Sequence, residues 1–124
     1  MSKAIRFHKA GGPEVLVYED VEVGSPGPGQ ARVRNKVIGL NFIDTYHRSG
    51  LYPLPLPHGV GMEASGIVEA VGGGVTAVSP GDRVAYCAGP PGAYSEERLI
   101  AADRLVKLPN GVLDEEAARI VRDV

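Results

Sequence analysis

The sequence predicts a mainly β domain, either a barrel or a sandwich, in which helix is a minority. Seventeen glycines and ten prolines are spread over 124 residues, which indicates many turns between short strands. Several segments alternate apolar and polar residues with a period of two, as strands with one solvated face do. A length of 124 residues suits one domain with a real core and is too short for two full enzyme domains.

Net charge and cysteine content exclude several functional classes. A formal net charge of -2 gives no electrostatic reason to expect nucleic acid or an anionic membrane surface as a partner. The single cysteine, Cys87, rules out an internal disulfide and is interpreted as a small buried hydrophobic residue. No segment resembles a signal peptide or reaches the roughly 20 apolar residues of a membrane span, so we expect a cytoplasmic protein.

Predicted strands follow one another along the chain. Residues 31–37 alternate most regularly, and Arg32, Arg34 and Lys36 form a face that we interpret as solvated. The glycines at 72–74 are interpreted as a hairpin turn, because the helix and the later acidic residue of a dinucleotide-binding fingerprint are missing. The other predicted strands are residues 3–8, 15–23, 67–71, 83–88, 93–101 and 105–108.

One short helix is predicted where the polar side chains are densest, between Asn41 as N-cap and Gly50 as the stop. Because neighbours on a helix surface are three or four residues apart, Asn41, Asp44 and Arg48 can share one face, whereas Tyr46 points elsewhere. The stretch 39–52 is the part of the chain richest in groups that can donate, accept or move a proton: Asn41, Asp44, Thr45, Tyr46, His47, Arg48 and Tyr52.

A second helix is predicted at the end of the chain. Asp114 can cap it, and a partial apolar stripe follows. The expected organisation is therefore a domain of residues 1–111 and a terminal helix within residues 112–124.

Four separated motifs occur in order: His-Lys-Ala-Gly-Gly-Pro-Glu at 8–14, the stretch 39–52, Gly-Met-Glu-Ala-Ser-Gly-Ile-Val at 61–68, and Gly-Asp-Arg-Val at 81–84. Together they resemble the NADPH:quinone oxidoreductases, the zinc-independent, zeta-crystallin-like branch of the medium-chain dehydrogenase/reductase superfamily, over roughly residues 3–109. The resemblance implies a GroES-like β-barrel that forms the catalytic domain. In that family a Rossmann domain follows, and none is present within these 124 residues.

The resemblance also implies the chemistry of the intact enzyme, which is hydride transfer from NADPH to a quinone. Tyr46 and Tyr52 would flank the nicotinamide and the substrate, and Asp44 would orient that network. The implied catalytic residues are Asn41, Asp44, Tyr46 and Tyr52, and the implied cofactor-binding residues are Asn41, Phe42, Tyr46 and Arg48.

Structural roles compete with two of these assignments. Arg48 and Glu63 can form a charge pair that braces the central segment against the next strand. Asp44 can be a helix-surface carboxylate that bonds a local amide.

No catalytic zinc is expected. Zinc-dependent relatives of the resembled family hold the metal with a cysteine and a histidine, and Asn41 and Met62 stand at those positions here. Neither an amide nor a thioether is a good Zn²⁺ ligand. The histidines lack a paired ligand spacing and are interpreted as ordinary surface or core residues: His8, His47 and His58.

A non-enzymatic barrel that acts as a binding or assembly module is the competing functional interpretation. The apolar loop 51–57 favours it. A barrel that ends at residue 124 is also expected to leave apolar surface or a strand edge uncovered. This predicts self-association, in the simplest case a homodimer.

Overall fold

The computed structural model describes residues 2–112, and the mainly β prediction is confirmed. The strands are β1 Ser2–Phe7, β2 Leu16–Val21, β3 Gln30–Gly39, β4 His58–Gly59, β5 Glu63–Val71, β6 Arg83–Tyr86, β7 Glu97–Ala101 and β8 Val106–Lys107. The helix α1 is Phe42–Ser49, and single 3-10 turns lie at Pro13–Val15 and Ala102–Arg104. Residues 113–124, which carry the predicted terminal helix, lie outside the described residues.

Two antiparallel sheets form the body of the domain. One sheet has the strand order β2-β1-β4, and the other has the order β7-β3-β5-β6-β8. Strand β1 also bonds the segment before β7, because Ile5 N–H donates to the Tyr94 carbonyl at 2.8 Å and Glu96 N–H donates to the Lys3 carbonyl at 2.9 Å. The two sheets are thereby joined along one side, as the expected GroES-like barrel requires.

The main core is formed mostly by buried side chains of four strands of the five-stranded sheet, β3, β5, β6 and β7. Strand β3 alternates as predicted, with Val33 fully buried between the outward side chains of Arg32 and Arg34. Both guanidinium groups approach the Glu69 carboxylate of β5, with Nε to oxygen distances of 3.3 and 3.0 Å, and Glu97 of β7 lies 3.7 Å from each arginine. Arg32 and Arg34 therefore belong to an ion-pair cluster across three strands. Arg34 and Lys36 are exposed, as the predicted solvated face requires.

Strand β5 begins four residues earlier than predicted. Its interior glycine, Gly66, interrupts the alternating pattern from which the start of the strand was predicted. A Cβ on Gly66 would lie 2.1 Å from the Arg34 carbonyl oxygen, so this glycine permits close approach of two strands. The glycines after β5 form a turn, with Val75 N–H donating to the Gly72 carbonyl at 3.4 Å. A tight hairpin is not formed, because β6 begins only at Arg83.

Helix α1 lies directly after β3, and Gly50 ends it in the left-handed conformation with φ of 88°. This confirms the predicted helix and both of its boundaries. None of the helices within residues 2–112 has the length and apolar character needed to span a membrane.

Candidate active site

The N-terminus of α1 is organised by Asn41 and Asp44. Asn41 leaves β3 with an extended backbone and caps the helix, and the two residues form a capping box in which each side chain faces the other's backbone N–H. The Asp44 carboxylate accepts the Asn41 N–H at 3.1 Å. The carboxamide of Asn41 is thereby placed at the junction of strand and helix.

A buried acid holds the other side of that carboxamide. Asn41 Nδ2 donates to Glu63 Oε1 at 2.7 Å, and Glu63 is only 2% exposed. The prediction of a charge pair between Arg48 and Glu63 is wrong, because the two side chains bond other partners. Arg48 Nε donates instead to the Gly11 carbonyl at 3.2 Å, so this arginine braces α1 against the loop after β1.

Asp44 is buried rather than a helix-surface carboxylate, with an exposure of 4%. Its Oδ2 atom accepts the Tyr94 hydroxyl at 2.5 Å. Burial and the neighbouring Asp44 carboxylate raise the pKa of Tyr94 well above its ordinary value. Tyr94 is therefore a protonated donor at neutral pH.

One face of α1 borders a cavity of about 570 Å³. As the helical spacing predicts, Asn41, Asp44 and Arg48 all line it. Phe42, which is 83% exposed, is also part of the wall. The remaining lining residues are Leu16, Leu40, Thr45, Val60 and Tyr94. The cavity thus combines apolar walls with polar groups along one side of the helix.

A second cavity, of about 330 Å³, also borders Asn41. It is lined by Asn41, Ile43, Met62, Glu63 and Cys87, so Asn41 and Met62 border one space. Cys87 is half-buried, which corrects its interpretation as a buried core residue. Within residues 2–112 there is no group of three or more His, Cys, Asp or Glu residues that could hold a metal ion.

The two predicted site tyrosines lie on a different side of the helix. Tyr46 and Tyr52 pack edge to face with ring centroids 5.7 Å apart, and both are exposed. Neither lines the two cavities at Asn41. The structure therefore gathers Asn41, Asp44 and Arg48 around one space and pairs the tyrosines separately.

Glu63 and Tyr94 are the residues of this cluster whose roles the sequence did not indicate. Glu63 is the acidic residue of the motif at 61–68, and it was interpreted only as a brace. Tyr94 lies within the strand predicted over residues 93–101, but β7 begins only at Glu97, which leaves Tyr94 in the loop before it. Only the three-dimensional contacts connect it with Asp44.

Comparison with known proteins identifies the domain. The model of the alcohol dehydrogenase GroES-like domain matches residues 27–110. Among curated relatives, the quinone oxidoreductase of Pseudomonas aeruginosa is 57% identical over 98% of this chain and 38% of its own length. A 2-haloacrylate reductase of a Burkholderia species is 54% identical over 88% of this chain and 34% of its own length.

Solved structures show the same similarity. The crystal structure of Escherichia coli quinone oxidoreductase complexed with NADPH superposes with a TM-score of 0.91 at 50% identity, covering 94% of this chain and 36% of that chain. The present chain thus spans little more than a third of the length of the relatives that it matches. It belongs to the alcohol dehydrogenase GroES-like domain family, within which its homologues at 50–57% identity include the quinone oxidoreductases.

Proposed function

We propose that this chain is the substrate-side catalytic part of an NADPH-dependent quinone oxidoreductase. The observation that carries the proposal is the placement of Asn41, a neutral hydrogen-bonding group, between two cavities with largely apolar walls. Such a site suits a flat, uncharged molecule with carbonyl oxygens. The names of the relatives and the NADPH complex of the Escherichia coli protein support the same reaction.

The exposed aromatic residues fit a nicotinamide ring. Phe42, Tyr46 and Tyr52 offer flat apolar faces, and Asn41 offers an amide that can bond a neutral polar group. Arg48 is already bonded to the Gly11 carbonyl, so its cofactor role would be that of a cavity wall. NADPH supplies the hydride when it is bound.

The chain's own residues would hold and orient the reactants. In this proposal the Tyr46 and Tyr52 hydroxyls donate hydrogen bonds to the quinone oxygen on which negative charge develops. Asp44 acts indirectly, because it bonds the Asn41 N–H and the Tyr94 hydroxyl and so fixes the start of α1. No residue is assigned as an obligate general acid.

We further propose that the reaction proceeds without zinc in a cytoplasmic enzyme. Asn41 and Met62 border one cavity, and the family resemblance implies that they stand where zinc-dependent relatives carry metal ligands. An amide and a thioether are poor ligands for Zn²⁺. Elemental analysis of protein purified without added metal tests this, and stoichiometric zinc would contradict it.

The isolated chain is expected to show little or no NADPH-dependent quinone reduction. The described part of the proposed catalytic domain 1–111 contains only antiparallel strand pairs, and so lacks the parallel strand–helix–strand unit that binds a dinucleotide pyrophosphate. Without that remote binding energy the nicotinamide is poorly positioned, which lowers turnover as well as affinity.

The test compares this chain alone with the same chain joined to the remaining part of the Pseudomonas aeruginosa relative. NADPH oxidation is followed with a quinone as acceptor, and we expect turnover only in the joined protein. A folded joined protein that binds NADPH but reduces no quinone would contradict the proposed function. Robust turnover by the isolated chain would contradict its expected inactivity.

Reduction of a carbon–carbon double bond is a second candidate, because one relative at 54% identity is named a 2-haloacrylate reductase. The same assay with a 2-haloacrylate as acceptor separates the two substrates. Reduction of neither acceptor would favour a non-enzymatic binding or assembly module.

A further inference from the structure

We propose that Glu63 is a positioning residue for Asn41. Gly39 makes room for the Glu63 carboxylate, and Glu63 then fixes the Asn41 carboxamide so that its remaining N–H is presented to a neutral carbonyl oxygen in the 330 Å³ cavity. The chemical class of the ligand rests on the proposed function. The fixed orientation of the Asn41 carboxamide does not depend on that function.

The backbone register brings the three residues together. Gly39 and Glu63 form the last pair of the β3–β5 ladder. A Cβ on Gly39 would lie 2.6 Å from both Cδ and Oε1 of Glu63, so the carboxylate occupies the space that any other side chain at position 39 would need. From there it reaches Asn41, which lies two residues further along the chain.

The Asn41 carboxamide is oriented by its amino group, which donates to Glu63 at 2.7 Å. The Asp44 N–H donates to the backbone carbonyl of Asn41 at 3.1 Å, and the capping box holds the side chain beside it. A 180° flip would place the amide oxygen against the Glu63 carboxylate. That contact would be repulsive, so one orientation is favoured.

One N–H of the fixed amino group remains for a ligand. The other residues that line the cavity are Ile43, Met62, Glu63 and Cys87. A carboxylate at the wall disfavours an anionic ligand, because two like charges repel across a short distance. The ligand class is therefore a neutral carbonyl, to which both a quinone oxygen and a carboxamide oxygen belong.

The first test uses the 124-residue chain and needs no activity. Nuclear magnetic resonance of the Asn41 side-chain amide should show one proton shifted downfield and protected from solvent exchange. Glu63→Gln removes the charge-assisted bond, and Gly39→Ala displaces the carboxylate, so either change should accelerate exchange of that proton by about tenfold. Gly73→Ala is the matched control, because a Cβ there meets no heavy atom within 4 Å.

Unprotected Asn41 amide protons in the wild-type chain would overturn the proposal, even if both variants fail to fold. An unchanged Asn41 amide in a folded Gly39→Ala or Glu63→Gln chain would overturn it as well. Neither result would bear on whether the joined protein is a quinone reductase.

A double-mutant cycle in the joined protein tests whether Glu63 affects the reaction only by positioning Asn41. Glu63→Gln should lower kcat/KM by about tenfold when Asn41 is present and should have no further effect in an Asn41→Ala background. Equal losses in both backgrounds would show that Glu63 acts independently. A rise confined to the KM of NADPH indicates the carboxamide as ligand, whereas a rise confined to the KM of the quinone indicates the quinone oxygen.

Discussion

Two buried acids, Asp44 and Glu63, hold the polar residues around α1 in place. Glu63 accepts a hydrogen bond from the side-chain amide of Asn41. Asp44 accepts one hydrogen bond from the Asn41 backbone N–H and one from the Tyr94 hydroxyl. Hydrogen bonds to a carboxylate are stronger than those between neutral groups. The neutral side chains of Asn41 and Tyr94 are thus oriented by the carboxylates of Glu63 and Asp44, respectively.

Removing the Tyr94 hydroxyl should destabilise the domain. Tyr94→Phe leaves the buried Asp44 carboxylate without its 2.5 Å donor, and we expect the free energy of unfolding to fall by about 1–3 kcal/mol. Urea denaturation measures the change. Tyr18→Phe, at an exposed ring, is the matched control, and equal losses in both variants would show that the Asp44 bond contributes nothing.

His47 should make stability depend on pH. Its burial lowers its pKa below the usual value of 6.5, and its Nδ1 has no hydrogen-bond partner within residues 2–112. Because the unfolded chain binds a proton more readily than the folded one, stability should be lost as pH falls below about 6.5 towards the lowered pKa. His47→Gln should flatten this part of the urea midpoint curve, and an unchanged slope would contradict the assignment.

At the scale of elements, α1 could be predicted completely because its signals are local. Asn41 marks its start and Gly50 its end, and the spacing of Asn41, Asp44 and Arg48 places them on one face. Such signals depend on the chain within a few residues. These signals can therefore be recognised from the sequence without knowledge of the fold.

The role of Gly50 as the residue that ends α1 can be tested by substitution. Gly50→Ala forces a side chain into the left-handed region at φ 88° and places a Cβ 3.1 Å from Ala10 Cβ. We expect a loss of about 1–2 kcal/mol in the free energy of unfolding. Gly73→Ala, in open space, should lose clearly less, and equal effects would argue against the helix stop.

The start of β5 and the role of Glu63 could not be predicted, because both depend on partners distant in sequence. Gly66 resembles a turn residue until its contact with the Arg34 carbonyl is known. Glu63 gains its role from Gly39 and Asn41, 24 and 22 residues earlier in the chain. A pattern of period two carries no information about such contacts, so the sequence indicated Asn41 but not the residue that holds it.

At the scale of the whole molecule, large apolar side chains remain exposed in the segment 40–56, which includes α1. They are Leu40, Phe42, Tyr46, Leu51, Tyr52 and Leu56. Surfaces of this kind are usually covered by a further part of the chain or by another molecule. We therefore predict that the isolated chain self-associates, and light scattering over a wide concentration range measures it. A strictly monomeric, folded chain would contradict this.

We propose that Asn41 and Tyr52 serve the reaction, whereas Arg48 mainly stabilises the fold. The most direct measurement determines kcat and the melting temperature of Asn41→Ala, Tyr52→Phe and Arg48→Ala in the joined protein. We expect the first two substitutions to lower kcat by about tenfold or more with small changes in melting temperature. Arg48→Ala should mainly lower the melting temperature because it loses the Gly11 contact. Equal losses of melting temperature in all three variants, with activity falling in proportion, would contradict these roles.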